Sequence, residues 1–501
     1  MKTAKYILDK DYAIGEVDPR IYGSFVEHLG RVVYDGIYEP GHPSADELGF
    51  REDVIEAVKA ANVTMVRYPG GNFVSGYRWT DGIGPLAERK PRFDRAWRKV
   101  DSNAVGTNEF AHWAKKAGVE FMATVNLGTG TPQEAGEMVE YCNLPGGTYW
   151  SDLRREHGAA DPHQVKLWCL GNEMDGPWQI GQLSAEDYGK KAREAAKIMK
   201  WTDPTIELVA CGSCNPDMPT YPDWDRIVLE HVYDQVEFVS LHRYFACDPS
   251  SKVMNPNGWV KEDAPYFTAN LRDYLHTVIS AADYVKTIKH SAKSIYISFD
   301  EWNVLPEKWR ASGDPEGMYA FSLREVLVYG AILGTLLQHA DRVKAACQSL
   351  MINAGGLFSN IKGGGIVIHP VFYPFQLMSR YGRGVALMDR VIGPSVETAQ
   401  CGPQPALQTA ATFNEAEGVV NVFISNFDEA DDCTLRMDLR SFGDLQMVEH
   451  VVMAGDLDAT NSPGEPDRLQ PARRAAPPVN GGMVDVVIPK ASWNMLRFSM
   501  G

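Results

Sequence analysis

Eight short apolar runs rich in β-branched residues recur along this chain, and a stretch of helical periodicity lies between each consecutive pair. The runs fall at 21–28, 63–72, 119–126, 165–170, 206–212, 236–244, 294–299 and 341–348. The stretches between them, at 46–61, 107–117, 132–143, 184–200, 223–233, 266–290 and 316–339, carry apolar residues at helical spacing. Regular βα alternation admits two architectures, because parallel strands need a crossover that returns over the sheet. A doubly wound open sheet would bring a glycine-rich phosphate loop after its first strand. The nearest candidate, Gly128-Thr-Gly-Thr-Pro132, fits neither GxGxxG nor GxxxxGK(S/T). The expected α/β fold is therefore a (β/α)8 TIM barrel, with its working face at the C-terminal ends of the strands.

The pattern changes after about residue 380. Short β-like runs follow at 419–425, 434–439, 446–453, 483–488 and 495–500, set off by Gly, Pro, Asp and Asn. They predict a β-sandwich of jelly-roll type, with 455–480 as an exposed loop and the strands at 3–17 joining it. The expected division is 18–380 for the barrel, and 1–17 plus 381–501 for the sandwich. A net charge of −16 argues against nucleic acid or an anionic membrane as partner, since both call for a basic face. The N-terminus lacks the apolar core of a signal peptide, and no run reaches 18 apolar residues. A cytoplasmic location is the default expectation. Cys211-Gly-Ser-Cys214 is a lone CxxC and reads as a turn after a strand, because no second ligand pair accompanies it.

Polar residues at the strand ends are the informative ones. They are Glu27 and His28, Arg67 and Asn72, Asn126, Asn172 and Glu173, His242 and Tyr244, and Glu301. A carboxylate at the tip of a buried strand is costly unless it is paired or used. One such glutamate reads most simply as an ion-pair partner; two, each embedded in a polar and aromatic strand end, suit glycoside hydrolysis. Trp178 and Trp302 sit next to the site these glutamates would form and are candidates for contact with a sugar face. No His-x-His occurs, so a metal-dependent hydrolase is disfavoured, and His242 reads as a hydrogen-bonding residue. Gly363-Gly-Gly365 reads as a flexible loop.

Four stretches together resemble the α-L-arabinofuranosidases of glycoside hydrolase family 51. They are Tyr22-Gly-Ser-Phe-Val-Glu-His-Leu-Gly-Arg31 with Gly36-Ile-Tyr-Glu-Pro40, Arg67-Tyr-Pro-Gly-Gly-Asn-Phe-Val-Ser-Gly-Tyr77, Gly171-Asn-Glu-Met-Asp-Gly-Pro-Trp-Gln179 and Phe299-Asp-Glu-Trp-Asn-Val304. The resemblance implies a retaining, exo-acting enzyme with no metal or cofactor. Glu173 would be the general acid/base, protonated at the start, and Glu301 the nucleophile, with the two carboxyl groups about 5–5.5 Å apart. Arg67 and Tyr244 would sit at Glu301, Asn172 at the sugar 2-hydroxyl, and Glu27 and Asn72 at the other hydroxyls. The implied substrate is an arabino- or arabinoxylo-oligosaccharide, and the implied assembly a homo-oligomer, often a hexamer. A β-xylosidase, an endoglucanase and a non-catalytic sugar-binding protein are the alternatives on the same scaffold.

Two positions depart from the family pattern. Leu305 stands where a second aromatic usually follows Trp302, on the leaving-group side. Leu350 stands where a Gln usually precedes Asn353 by three residues. Gln348 shares a strand face with that position but lies about 7 Å deeper.

Overall fold

The computed structural model describes residues 1–246, 264–305 and 321–501. The first strands in chain order are β1 (Lys2–Glu16), β2 (Gly23–Phe25), β3 (Met65–Tyr68), β4 (Arg92–Asp94), β5 (Lys99–Asp101) and β6 (Glu120–Val125). Then come β7 (Leu167–Leu170), β8 (Glu207–Cys211), β9 (Phe238–Ala246), β10 (Tyr296–Leu305) and β11 (Val343–Gln348). β2, β3 and β6 to β11 close into a parallel barrel, and β11 completes the ring against β2. Buried on both faces, these strands read as continuous apolar runs in the sequence.

The helices are α1 (Glu52–Ala61), α2 (Gly71–Val74), α3 (Thr107–Ala117), α4 (Pro132–Asn143), α5 (Tyr149–Glu156), α6 (Ala185–Thr202), α7 (Asp223–Val232), α8 (Ala264–Ile288), α9 (Leu323–Leu337) and α10 (Phe372–Tyr381). Local chemistry sets their ends. Thr131 and Glu134 form a capping box before α4, with Pro132 in its first turn. Gly118, at φ +73°, ends α3 in the left-handed conformation that glycine takes without penalty. The helix expected from residue 46 starts at Glu52, because Asp46 accepts the backbone N–H groups of Leu48 and Phe50 and closes a turn. The helix expected at 316–339 is seen as α9; residues 316–320 lie outside the described residues.

β10 runs well past the expected end at 299 and carries Glu301 within it. β9 overruns the barrel rim beside it, pairing Glu301 with His242 and Leu305 with Ala246. The segment around Gly363–Gly365 is a tight turn between β12 (Phe358–Asn360) and β13 (Ile366–Ile368). Arg51 donates to the Gly364 carbonyl at 2.6 Å and Glu39 accepts the Gly363 N–H at 2.8 Å, so this turn is pinned rather than loose.

The remaining strands are β14 (Val385–Ile392), β15 (Ser395–Thr398), β16 (Gly402–Pro405), β17 (Leu407–Asn414), β18 (Val419–Asn426) and β19 (Cys433–Asp438). β20 (Leu445–Met453), β21 (Ala472–Arg474), β22 (Met483–Ile488) and β23 (Ser492–Met500) complete the chain. Nine strands form one sheet in the order β21-β20-β23-β18-β17-β14-β1-β19-β22, with β1 inserted between β14 and β19. Alternation divides its faces. On β23, Leu496 and Phe498 join the core of the sheet-rich domain, while Trp493 and Met495 join the barrel core. α9 lies against the second face, and every one of its residues except Arg324 is buried. A helix apolar all round needs cover on all sides, and the barrel and the sheet supply it.

Candidate active site

A β-bulge in β10 builds the centre of the site. Between the pairs Ser298–Ser240 and Glu301–His242, β10 uses three residues where β9 uses two. The extra residue breaks the two-residue alternation. Asp300 and Glu301, adjacent in sequence, therefore both reach His242. Asp300 Oδ1 lies 3.1 Å from His242 Nε2, and Glu301 Oε2 lies 3.7 Å from Nδ1. His242 Nδ1 also meets Glu173 Oε1 at 3.0 Å. One oxygen of Glu173, one oxygen of Glu301 and a ring nitrogen of His242 all fall within 4.8 Å of one another.

Glu173 arrives by a strained route. It follows β7 and Gly171 with a left-handed backbone, φ +44°, a conformation that costs a non-glycine residue about 1–2 kcal/mol. Its second carboxylate oxygen accepts from Trp178 Nε1 at 2.6 Å. Glu301 is held on both oxygens. Tyr244 donates to Oε1 at 2.6 Å and Arg67 Nη1 to Oε2 at 3.0 Å. Arg67, buried on β3, also donates to Asn172 Oδ1 at 2.6 Å and faces Asp300 at 3.8 Å. A buried guanidinium is costly unless its charge and donors are met; these partners balance the charge and engage both Nη groups, while Nε makes no hydrogen bond.

The charges around the pair follow from burial and neighbours. Burial raises the Glu301 carboxyl; His242 opposes that shift, Glu173 adds to it, and Arg67 and Tyr244 pull it back. Burial alone would lower His242, but Glu301, Asp300 and Glu173 outweigh it and push the imidazole up to about 10. Asp300, although buried, is held below the usual carboxylate range by Arg67 and His242. Across the cavity, burial pushes Glu27 up to about 8, although the Phe73 N–H at 2.8 Å and Trp97 Nε1 at 2.9 Å both donate to it. Gly71, at φ +48°, lies so close that a Cβ there would overlap the Glu27 carboxyl group.

A cavity of about 650 Å³ opens at the C-terminal mouth of the barrel. Glu27, Asn72, Glu173, Trp178, Tyr244 and Glu301 line it, with Trp97, Leu305, Ser349 and Leu350. Arg67, Asn172 and His242 are buried beside it. Trp302 is a correction. It is fully buried, with its ring 5.2 Å from Tyr329 and 6.3 Å from Phe299, and it is absent from the cavity wall. Its neighbour Glu301 points into the mouth while Trp302 packs back towards α9. Gln348 is also buried, donating to Tyr329 OH at 3.2 Å, and Leu350 takes the wall position. His28 bonds Asp101 and Tyr68, and Asn126 caps a turn at Thr129; neither lines the cavity. Cys211 and Cys214 are buried free thiols.

Sequence reasoning missed Asp300, Ser349 and Trp97. Alternation assigns Asp300 to the face opposite Glu301, and only the bulge reverses this. Ser349, whose Oγ lies 2.7 Å from Tyr244 OH, carries no signal of its own. Trp97 lies between β4 and β5, a hairpin inserted between β3 and α3.

A closed parallel barrel with two carboxylates this close at its mouth, surrounded by residues suited to hydroxyls, defines a glycoside hydrolase. The profile of the α-L-arabinofuranosidase 1 domain matches residues 57–250, and that of the α-L-arabinofuranosidase C-terminal domain matches 300–492. The chain is 45% identical to an intracellular exo-α-(1→5)-L-arabinofuranosidase of Halalkalibacterium halodurans, over 99% of both chains. It is 40% identical to an exo-α-(1→6)-L-arabinofuranosidase of Bifidobacterium longum, over 99% of this chain and 97% of the relative. Among solved structures, a family 51 α-L-arabinofuranosidase from Bifidobacterium longum superposes with a TM-score of 0.92 at 35% identity, covering 99% of this chain and all of the other. The chain belongs to glycoside hydrolase family 51, the α-L-arabinofuranosidases.

Proposed function

We propose that this enzyme removes terminal α-L-arabinofuranosyl residues from short arabinose-containing oligosaccharides with net retention. One observation carries the reading: Glu173 and Glu301 present oxygens within 4.8 Å of each other, close to retaining spacing and too near for an inverting water. Glu301 attacks C1 while Glu173 protonates the departing oxygen, giving a covalent β-linked ester. Water, deprotonated by Glu173, then releases α-L-arabinofuranose. Tyr244 and Arg67 fix the Glu301 carboxylate, one on each oxygen. His242 Nδ1, 3.0 Å from Glu173 Oε1, and its Nε2, 3.1 Å from Asp300 Oδ1, hold the acid/base carboxyl in place. Asn172, whose Nδ2 makes only a long 3.3 Å bond to Gln179, is assigned to the 2-hydroxyl. Glu27, Asn72 and Trp97 close the pocket around the remaining hydroxyls.

Four relatives of 40–45% identity are named exo-α-(1→5) enzymes, which favours α-(1→5)-linked arabinobiose as substrate. Those relatives are also named intracellular, which supports a cytoplasmic site of action. No helix among the described residues is long and apolar enough to cross a membrane. Assembly as a homo-oligomer rests on the family resemblance and is checked by light scattering. The test of function is a proton NMR time course on α-(1→5)-arabinobiose. The α-anomer should appear first; the β-anomer, or no release, would overturn the proposal.

Glu27 supplies a pH prediction. Below about pH 8 its carboxyl is neutral and donates to a sugar hydroxyl; above that it ionises and places a second charge near Glu301. KM for the wild type should therefore rise as the pH passes 8. Glu27→Gln, neutral at every pH, should show no such rise across a KM profile from pH 6 to 9.

A further inference from the structure

One of the donors to Glu301 is itself held by a further hydroxyl. Tyr244 donates to Glu301 Oε1 at 2.6 Å. A tyrosine hydroxyl has one proton and an ionised carboxylate only accepts, so that proton is committed to Glu301. Ser349 Oγ lies 2.7 Å from the same Tyr244 oxygen. With the tyrosine proton taken, Ser349 is the donor in this second bond. Donation therefore runs in one direction, from Ser349 to Tyr244 to Glu301.

β10 itself places the serine. The Ser349 N–H donates to the Trp302 carbonyl at 2.9 Å, and Asn303 Nδ2 donates to the Ser349 carbonyl. Asn303 Nδ2 also reaches the Gly355 carbonyl at 2.9 Å. The two residues that follow Glu301 thus hold the residue that supports it. Ser349 is 3% exposed, on the wall of the cavity.

A hydroxyl that accepts one hydrogen bond donates the next more strongly, by about 10–30% per bond. Resting on the assignment of Glu301 as nucleophile above, we infer that Ser349 is a positioning residue for the second step: its hydroxyl strengthens the Tyr244 bond to Glu301 and so stabilises the charge that Glu301 regains when water displaces it from C1. In the first step that charge is lost, so the same support does not speed attack.

The test uses dinitrophenyl α-L-arabinofuranoside, whose acidic phenol departs readily, so that hydrolysis of the ester limits kcat. Ser349→Ala should lower kcat about three- to tenfold and KM with it, leaving kcat/KM at its optimum within about twofold. The acid limb of kcat/KM should move up by about half a pH unit, because the charged form of Glu301 loses support. Arg67 on β3, His242 and Tyr244 on β9, Glu173 beyond β7 and Glu27 beyond β2 also act on that carboxyl, and the variant keeps them all. Ser349→Cys, close in volume but a weak donor, should repeat both changes. In Tyr244→Phe the connection to Glu301 is already cut, so adding Ser349→Ala there should change kcat by less than about twofold. An unchanged kcat or acid limb in both serine variants, a loss of kcat with KM unchanged, or an equal loss on the Tyr244→Phe background overturns the inference. Any of these, with the wild type still releasing the α-anomer first, leaves the function proposal standing; no release by the wild type overturns both.

Discussion

Glu301→Ala should lower kcat by about 10⁴-fold or more, a loss of roughly 5 kcal/mol of transition-state stabilisation. Sodium azide should restore turnover with inverted product. Removing the carboxylate leaves space on the face from which Glu301 attacks C1, and azide entering there gives the β-L-arabinofuranosyl azide. Glu173→Ala should behave differently. With an activated aryl leaving group, the first step needs little protonation, so the covalent ester forms and then waits for a base that is gone. Azide needs no base. It attacks the ester from the opposite face and gives the α-azide. One nucleophile therefore yields opposite anomers from two variants, which a proton NMR spectrum of the products distinguishes. Identical anomers from both variants, or more than about 1% residual activity in Glu301→Ala, would sink the assignment of roles.

The two carboxylates were legible in the sequence because each closes an apolar run, and an unneeded charge at such a place is expensive. The barrel was legible for the same reason: strands covered on both faces leave long apolar signatures, and the helices between them carry their own caps. What the sequence concealed is direction. Trp302 follows Glu301 and was expected at the sugar, yet the backbone around the β10 bulge sends the two side chains to opposite sides. The same bulge brings Asp300 inward, where alternation would have turned it out. Trp97 reaches Glu27 from 70 residues away, across a hairpin whose local pattern says nothing about the barrel mouth. β14 and β17 escaped notice as strands because the exposed Met388 and the polar Asp389 and Gln408 interrupt their apolar pattern. Their place is set by pairing with β1 and β18.

Asp300→Asn should lower kcat by about 10²- to 10³-fold, within the range attributed to acid–base assistance, and should also change how stability depends on pH. Asp300 balances two buried cations at once, Arg67 at 3.8 Å and His242 at 3.1 Å. An amide keeps the shape and removes the charge, so both cations lose a counter-ion; breaking a buried pair in this way costs about 3–5 kcal/mol. The sign follows for each group separately. Asp300 is depressed in the folded protein, so its stabilisation is present above the unfolded value of about 3.9 and fades as the pH falls through the folded value. His242 is raised to about 10, so its stabilisation is complete below the unfolded value of about 6.5 and is lost as the pH climbs towards 10. The melting temperature of the wild type should therefore exceed that of the variant most between about pH 4 and 6.5. The gap should narrow on both sides, because on each side the wild type loses a contribution that the variant no longer has in full. His242→Gln separates the two limbs: it should remove the alkaline decline and keep part of the acid one. Calorimetric melting curves from pH 3 to 10, run beside kcat, decide the matter. Wild-type and Asp300→Asn curves that stay parallel across that range would mean that Asp300 and His242 do not share charge in the folded enzyme.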